Sequence, residues 1–446
     1  MEKNIGGARV AIIGAGPAGL FAARELAQNG IEVVLFNRDI KPGGLAEYGI
    51  YPDKDMIKEG LRTQFREITN LPLVHYYGNI PIGDTQPLTI KRLKELGFDA
   101  VLVAAGAQGT KWLGLPGEDC QGSFHAKELV LHYNQLPPYA SWNFPIGKKV
   151  AIIGVGNVMT DVVRYLVTQP QVEEIITIAR RGLAEIKFDR RELEHIIDHL
   201  DWQDFQSEVK RISPAMSAVG QVPEDCAKLV TEVYETSSKA FVQPKWKLHF
   251  LYSPVKILCQ ENRVRGVVFE NNFLEGTAES TKAKGTGETL EVELDTIIFA
   301  IGDCVDPTLG LPVKGSGYAI SQAPQFPVSE ISFEVSRGDN HSPDLEGVFV
   351  CGWSRNASTG LVGIARRDGM NAGRAVLAYL KTLPVERSVE LSALESILRS
   401  LGYNPITPCD LQVLDEVEKE HARQKGVSAF KFDTNDEMLA VMNKIE

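Results

Sequence analysis

Arg9-Val-Ala-Ile-Ile-Gly14-Ala-Gly16-Pro-Ala-Gly19 and, 140 positions later, Lys149-Val-Ala-Ile-Ile-Gly154-Val-Gly156-Asn157-Val-Met159 follow one pattern. Each begins with an apolar run long enough for a buried parallel strand. Each then breaks at Gly-x-Gly and passes into a stretch that reads as a helix. A chain folded this way aims unpaired backbone N–H groups and the positive end of a helix at a pyrophosphate. One such unit is a weak signal, because glycines also punctuate strand ends for structural reasons alone. Two in one chain imply two dinucleotides. The fold class this predicts is α/β, with two Rossmann-like dinucleotide-binding domains.

The bulk properties are those of a globular protein and exclude several other classes. A length of 446 residues favours two or three domains with substantial cores. No apolar stretch approaches the ~18–20 residues of a membrane span. The first strand begins within ten residues of Met1, so the expected location is cytoplasmic, or an organelle matrix after processing. The six cysteines are scattered and form no Cys-x-x-Cys pair, which predicts reduced structural thiols and no metal or iron–sulfur site. A net charge of −11 argues against nucleic acid as a partner.

After the first glycine turn a helix is expected from Ala18 to Gln28, closed by Asn29-Gly30. The strand Glu32–Phe36 follows. An acidic residue that binds ribose hydroxyls is expected at its end, yet Asn37 stands there. An amide accepts more weakly than a carboxylate, so glutamate at this position is expected to tighten binding. The segment Pro42 to Asp53, with Gly43-Gly44-Leu45, is too glycine-rich for a regular element and reads as a loop lying close to a flat ring. Three runs then end in glycine: Asp99–Gly106, Asp295–Gly302 and Glu346–Gly352. Such continuous apolar runs suit parallel strands covered on both faces. They divide the chain into residues 1–108, an inserted domain 109–325, and a return to the first domain over 326–446. Residues 247–293 read as an antiparallel hairpin, with an exposed loop from Gly276 to Gly287.

In the second unit, Asn157 is placed to bond a pyrophosphate or cap the helix. Met159 fills the position where a small residue allows close packing, and so predicts a helix pushed slightly outward. The next strand ends in Arg180-Arg181-Gly182. A guanidinium pair there suits the dianionic 2′-phosphate of NADP rather than the 2′-hydroxyl of NAD. Near the C-terminal end, Cys351-Gly352-Trp353 leads through Gly360-Leu361-Val362 into a helix expected to run to about Leu380. The start of that helix can stabilise negative charge on the N1/O2 edge of a reduced flavin, and Trp353 is placed to stack on or flank the ring.

Together these motifs resemble the adrenodoxin reductase family of ferredoxin–NADP reductases. The resemblance rests on Gly14-x-Gly16-x-x-Gly19, the Gly44-Leu45 to Pro52-Asp53 segment, and Gly154-x-Gly156-Asn157 with Asp161. It also rests on Arg180-Arg181-Gly182 with Glu192, on Gly352-Trp353 to Gly360, and on the tail from Leu414 to Leu439. It implies FAD contacts at Ala15, Asn37 (glutamate in the family), Leu45, Ile80, Trp353 and Gly360 to Val362. For NADP it implies Gly156, Asn157, Val158, Arg180, Arg181, Glu192 and Gly360. With Gly14, Gly16, Gly19, Gly44, Gly106, Gly154 and Gly352, these are the candidate cofactor residues. The flavin carries the chemistry, so the resemblance implies no catalytic side chain and no metal. It implies hydride transfer from NADPH to FAD and single-electron delivery to a ferredoxin-like iron–sulfur protein. Two alternatives stay open: a flavin subunit of the glutamate synthase small-subunit type, and a non-catalytic nucleotide-binding regulatory protein. With Arg180 and Arg181 reserved for NADP, the remaining cations Lys187, Arg190 and Arg191, with Lys210 and Arg211 further on, read equally as a basic docking rim or as a solvated helix face.

Overall fold

Val10–Ile13, Val33–Phe36 and Val101–Val103 are apolar on both sides of the strand and almost wholly buried, which only a sheet covered on both faces can provide. In the computed structural model, which describes residues 7–238, 242–338, 343–384 and 391–444, the chain divides into two compact units. The first comprises Met1–Thr110, Leu131–Ser141 and Gly302–Glu446, and the second Lys111–Val130 and Trp142–Ile301.

The first unit has a five-stranded parallel sheet in the order Val348–Val350, Ala100–Val103, Arg9–Ile13, Glu32–Phe36, Val74–Tyr77. Helix Pro17–Gln28 buries Ala18, Gly19, Leu20, Phe21, Ala22, Ala23 and Leu26 between this sheet and helix Val362–Leu380. The two helices touch backbone to backbone: a Cβ added to Gly369 would lie 2.0 Å from the Ala18 carbonyl oxygen. The tail helices Pro408–Lys425 and Asn435–Val441 each begin with a capping box, Thr407 with Asp410 and Thr434 with Glu437. They close a small core of Ile40, Ile406, Leu414, Phe432, Met438, Leu439 and Met442.

The second unit repeats the plan. Its parallel sheet runs Ser123–His125, Thr296–Phe299, Lys149–Ile153, Glu174–Ala179, Lys245–Phe250. A three-stranded antiparallel sheet, Tyr252–Gln260, Arg263–Thr277 and Ser280–Glu293, is attached to it.

Several expectations need correcting. The inserted unit ends at Ile301, not 325, because Asp303–Cys304 pairs with Gly109–Thr110 and Tyr318 joins the core of the first unit. Leu131 and Leu136 pack against Tyr48, which returns residues 131–141 to the first unit as well. The segment expected to be an irregular loop contains a helical turn, Leu45–Tyr48, stabilised by burial of Ala46, Glu47 and Tyr48. Lys245–Phe250 belongs to the parallel sheet, and Gly276–Gly287 is mostly strand, not loop. Nor are all six cysteines reduced: Cys120 and Cys259 form a disulfide across a separation of 139 residues. The turn at Pro116 to Gln121 pairs with the antiparallel sheet through Ile257 N–H to Pro116 O (2.9 Å) and Gln121 N–H to Asn262 O (2.9 Å), and so brings the two sulfurs together.

Among the described residues no helix is long and apolar enough to cross a membrane.

Candidate cofactor-binding sites

The carboxyl ends of the first unit's strands run into Gly14, Asn37, Ile80, Gly106 and Gly352, and so gather distant candidates at one edge of the sheet. The glycines of the first turn do two different jobs. Gly14 has φ +106°, and a Cβ there would lie 2.5 Å from the Ala104 carbonyl oxygen, so the fold itself requires glycine. Gly16 has φ −75° and a Cβ on it would meet nothing within 4 Å. Nothing in the protein demands glycine at 16. The second turn repeats this division. Gly154 has φ +122° and would clash at 2.3 Å with the Ala300 carbonyl oxygen, whereas Gly156 has φ −105° and open space. Gly19 packs so closely that a Cβ would lie 2.0 Å from Gly14 O. Its counterpart Met159 is wholly buried.

Asn37 is 6% exposed and spends its amide inside the protein. Its Oδ1 accepts from Ala15 N–H at 3.0 Å, and its Nδ2 donates to the carbonyls of Asp39 and Lys41, both at 2.9 Å. The Asn37 carbonyl also accepts from Ile80 N–H at 2.8 Å. Gly43 N–H donates to Ala15 O at 2.7 Å, and a Cβ on Gly44 would lie 3.3 Å from Gly16 Cα, so the Gly44-Leu45 segment sits directly on the first glycine turn.

Behind Leu45, Glu47 accepts two 2.7 Å hydrogen bonds from Arg62 and pairs with Lys431 of the tail at 2.7 Å. Burial alone would raise its carboxyl, but Arg62 and Lys431 together hold it down at about 2. Lys58, donating to Asn134 Oδ1 at 2.7 Å, is pushed down to about 8 by burial. Sequence reasoning missed this cluster, because nothing in the spacing of Glu47, Arg62 and Lys431 marks them as neighbours.

Gly106 N–H donates to Ser354 Oγ at 3.0 Å, which ties two strand-end turns together. Gly352 N–H donates to Asp368 Oδ2 at 2.6 Å, and Asp368 also holds Arg355 at 2.5 Å. The Trp353 indole N–H donates to Thr359 O at 3.0 Å, fixing the ring against the turn before the helix. That helix begins at Val362 with Leu361 as its N-cap, without a side-chain cap or an acidic residue in its first turn. Its positive end is therefore uncompensated by the protein. Ser354 and Asp368 were not singled out in the sequence, although both lie within or just beyond the quoted motif.

In the second unit, Asn157 does not cap its helix: Gly156 is the N-cap and no side chain caps it. Asn157 Oδ1 instead accepts from Asp189 N–H at 2.9 Å, and Lys187 N–H donates to Val155 O at 3.0 Å. The arginine-bearing loop is thus laced to the glycine turn. Arg180 is exposed and makes no ion pair among the described residues. Arg181 pairs with Glu185 at 2.9 Å and donates to Thr281 O at 3.2 Å, while Thr281 Oγ1 bonds Glu185 at 2.6 Å. Thr281, from the segment expected to be an uninformative loop, thereby orients Arg181. Val158 is exposed, and Glu192 lies on the short helix Arg190–Glu194 capped by Asp189.

Two parallel-sheet units, each with an open glycine turn at the carboxyl end of its strands, define a protein with two dinucleotide-binding folds. Residues 8–200 match the family described as pyridine nucleotide-disulphide oxidoreductase. Over 97% of the chain and 92% of the relative, the sequence is 26% identical to the mitochondrial NADPH:adrenodoxin oxidoreductase of Bos taurus. It is likewise 26% identical to the NADPH-ferredoxin reductase FprA of Mycobacterium tuberculosis, over 97% of this chain and 98% of that protein. The structure of M. tuberculosis FprA in complex with NADPH superposes with a TM-score of 0.82, at 24% identity and covering 98% of this chain and 99% of the other. The resemblance carried by the motifs therefore extends along nearly the entire chain.

Proposed function

We propose that this protein is an FAD-dependent oxidoreductase that takes hydride from NADPH and passes electrons singly to a ferredoxin-like iron–sulfur protein. The observation that carries this reading is the pair of glycine turns, each opened at Gly16 or Gly156 where the fold does not need glycine, within a chain similar end to end to NADPH:adrenodoxin oxidoreductase.

The first unit would hold FAD. Backbone N–H groups at Gly16 and the start of helix Pro17–Gln28 face the pyrophosphate, and Gly44-Leu45, Ile80 and Gly106 lie along the same sheet edge. The open start of helix Val362–Leu380 stabilises negative charge on the ring edge, with Gly360 and Leu361 leading into it and Trp353 held beside it. When bound, the flavin supplies the conversion between two-electron and one-electron chemistry, which side chains cannot. No acid–base dyad is needed, so the chain's task is to position cofactors and tune charge.

The second unit would hold NADP through Gly154, Gly156, Asn157 and Val158, with Arg180 and Arg181 on the 2′-phosphate and Glu192 nearby. Arg180 brings an unspent charge, while Arg181 brings a guanidinium already oriented by Glu185 and Thr281. The location in this reading is cytoplasmic or an organelle matrix, where NADPH and ferredoxins are found together.

Steady-state reduction of a panel of ferredoxins, with NADPH or NADH as donor, tests the proposal. Turnover with NADPH and an iron–sulfur acceptor is expected. Bound flavin with no acceptor turnover would overturn it.

A further inference from the structure

Helices Pro17–Gln28 and Val362–Leu380 form a packed two-helix platform in the first unit. Phe21, 1% exposed, lies under two guanidinium groups: Arg24 from its own helix and Arg366 from the other, each 4.6 Å from the ring centroid. Stacking on an aromatic face fixes a guanidinium without using its in-plane N–H donors, one of which, on Arg24, meets Met370 Sδ at 3.9 Å. The platform's acids are already committed elsewhere. Glu25 pairs with Arg374 at 2.9 Å, and Asp368 holds Arg355 and the Gly352 N–H. Arg24, Arg366 and Arg367 make no ion pair among the described residues, in a chain whose net charge is −11. Beside them, Leu361 is 70% exposed and Ile364 48% exposed, at the start of the helix assigned above to the flavin edge.

The cations around Arg190 are differently placed. Arg190 is shared between Glu194 and Glu232, both at 3.1 Å, so much of its charge is compensated locally.

We propose that the surface carrying Arg24, Arg366 and Arg367, with Leu361 and Ile364 at its edge, is where an acidic iron–sulfur protein docks to receive electrons. The inference rests on the function proposed above. Transient redox partners meet over small interfaces steered by charge, and arginines with an apolar edge are the chemistry such an interface uses. Stacking on Phe21 adds preorganisation: the two guanidiniums are held before the partner arrives, so less side-chain freedom is lost on contact.

The test measures two half-reactions separately by rapid mixing: flavin reduction by NADPH, and reoxidation by an acidic [2Fe–2S] ferredoxin. A neutral quinone acceptor serves as a control. The double variant Arg24→Glu with Arg366→Glu is compared with Arg24→Gln with Arg366→Gln, which keeps bulk without charge. The proposal expects the charge-reversed protein to reduce the ferredoxin at least about tenfold more slowly at low salt, and the amide variant to fall between. The difference should shrink as the Debye length falls from about 30 to 8 Å. Flavin reduction and quinone turnover should stay within about twofold of native. A charge-reversed protein that matches native with ferredoxin overturns the docking surface and leaves the proposed function standing. Loss of flavin reduction or quinone turnover in the variants overturns it too, since the arginines would then serve the cofactor site. A native protein that reduces quinone with NADPH but no iron–sulfur protein overturns the proposed function, and the docking surface with it.

Discussion

Asn37 Oδ1 accepts the Ala15 N–H at 3.0 Å while its Nδ2 donates to the carbonyls of both Asp39 and Lys41. One amide thus clamps the first glycine turn to the loop that follows the second strand, using its acceptor and both donors. A carboxylate can replace the acceptor but not the donors.

The first prediction reverses what the sequence alone gives for this position. Asn37→Glu should lower the melting temperature of the apoprotein and weaken FAD retention. Two buried carbonyls would then face a carboxylate, a loss of about 1–3 kcal/mol. Fluorescence titration of FAD and thermal melts check it. Tighter FAD binding in the variant would show that position 37 serves the ribose directly.

A second prediction separates the paired arginines. Arg180→Ala should raise the KM for NADPH about tenfold or more, with little change for NADH and none in stability, since its guanidinium makes no ion pair among the described residues. Arg181→Ala should raise the same KM and also lower stability, because its guanidinium joins Glu185 to the Thr281 carbonyl. Equal effects of Arg180→Ala on the two nucleotides would remove the 2′-phosphate assignment.

Glu47 provides a pH-dependent test. Its side chain is 6% exposed and pairs with Lys431, itself 11% exposed. Glu47→Gln strands buried positive charge and should cost about 3 kcal/mol at neutral pH. Held at about 2 in the fold, against an ordinary 4.5, the carboxylate contributes stability fully above pH 4.5 and loses it as pH falls toward 2. The gap between native protein and variant should therefore be constant from about pH 5 to neutral and narrow below pH 4.5. Denaturant melts across that range measure it; a gap that widens in acid would contradict the ion-pair account.

The cysteines give a direct count. With Cys120 and Cys259 joined, protein denatured without reductant should titrate four thiols, at Cys226, Cys304, Cys351 and Cys409. After reduction it should titrate six. Closing a loop of 139 residues removes chain entropy from the unfolded state, so Cys120→Ser should lower the stability of the second unit by a few kcal/mol. Six thiols without reductant would show the pair to be open.

What could be read from the sequence follows from what is local. The glycine turns, the closing strands and the helix from Val362 to Leu380 each announce themselves within about a dozen residues, because period, apolar runs and glycine position are short-range signals. The cysteine pair, the Glu47–Arg62–Lys431 cluster and the return of residues 131–141 to the first unit depend on contacts far apart in the chain, which no spacing encodes. Asn37 and Asn157 were marked at the right turns, but the bonds of Asn37 to Ala15, Asp39 and Lys41 and the capping of the second helix by Gly156 were not legible, because sequence shows where an amide lies and not which partners it already has. Thr281 was passed over since a Gly/Thr/Glu/Lys composition reads as loop, although cross-strand pairing with Arg263–Thr277 makes it a strand.

Anaerobic titration of the purified protein with NADPH and with NADH, followed by flavin absorbance, tests the central claim most directly. The account predicts a yellow protein with FAD bound, bleached stoichiometrically by NADPH and far more slowly by NADH, and recolouring when an iron–sulfur protein is added. A protein that binds no flavin, or holds flavin that NADPH does not bleach, would contradict it.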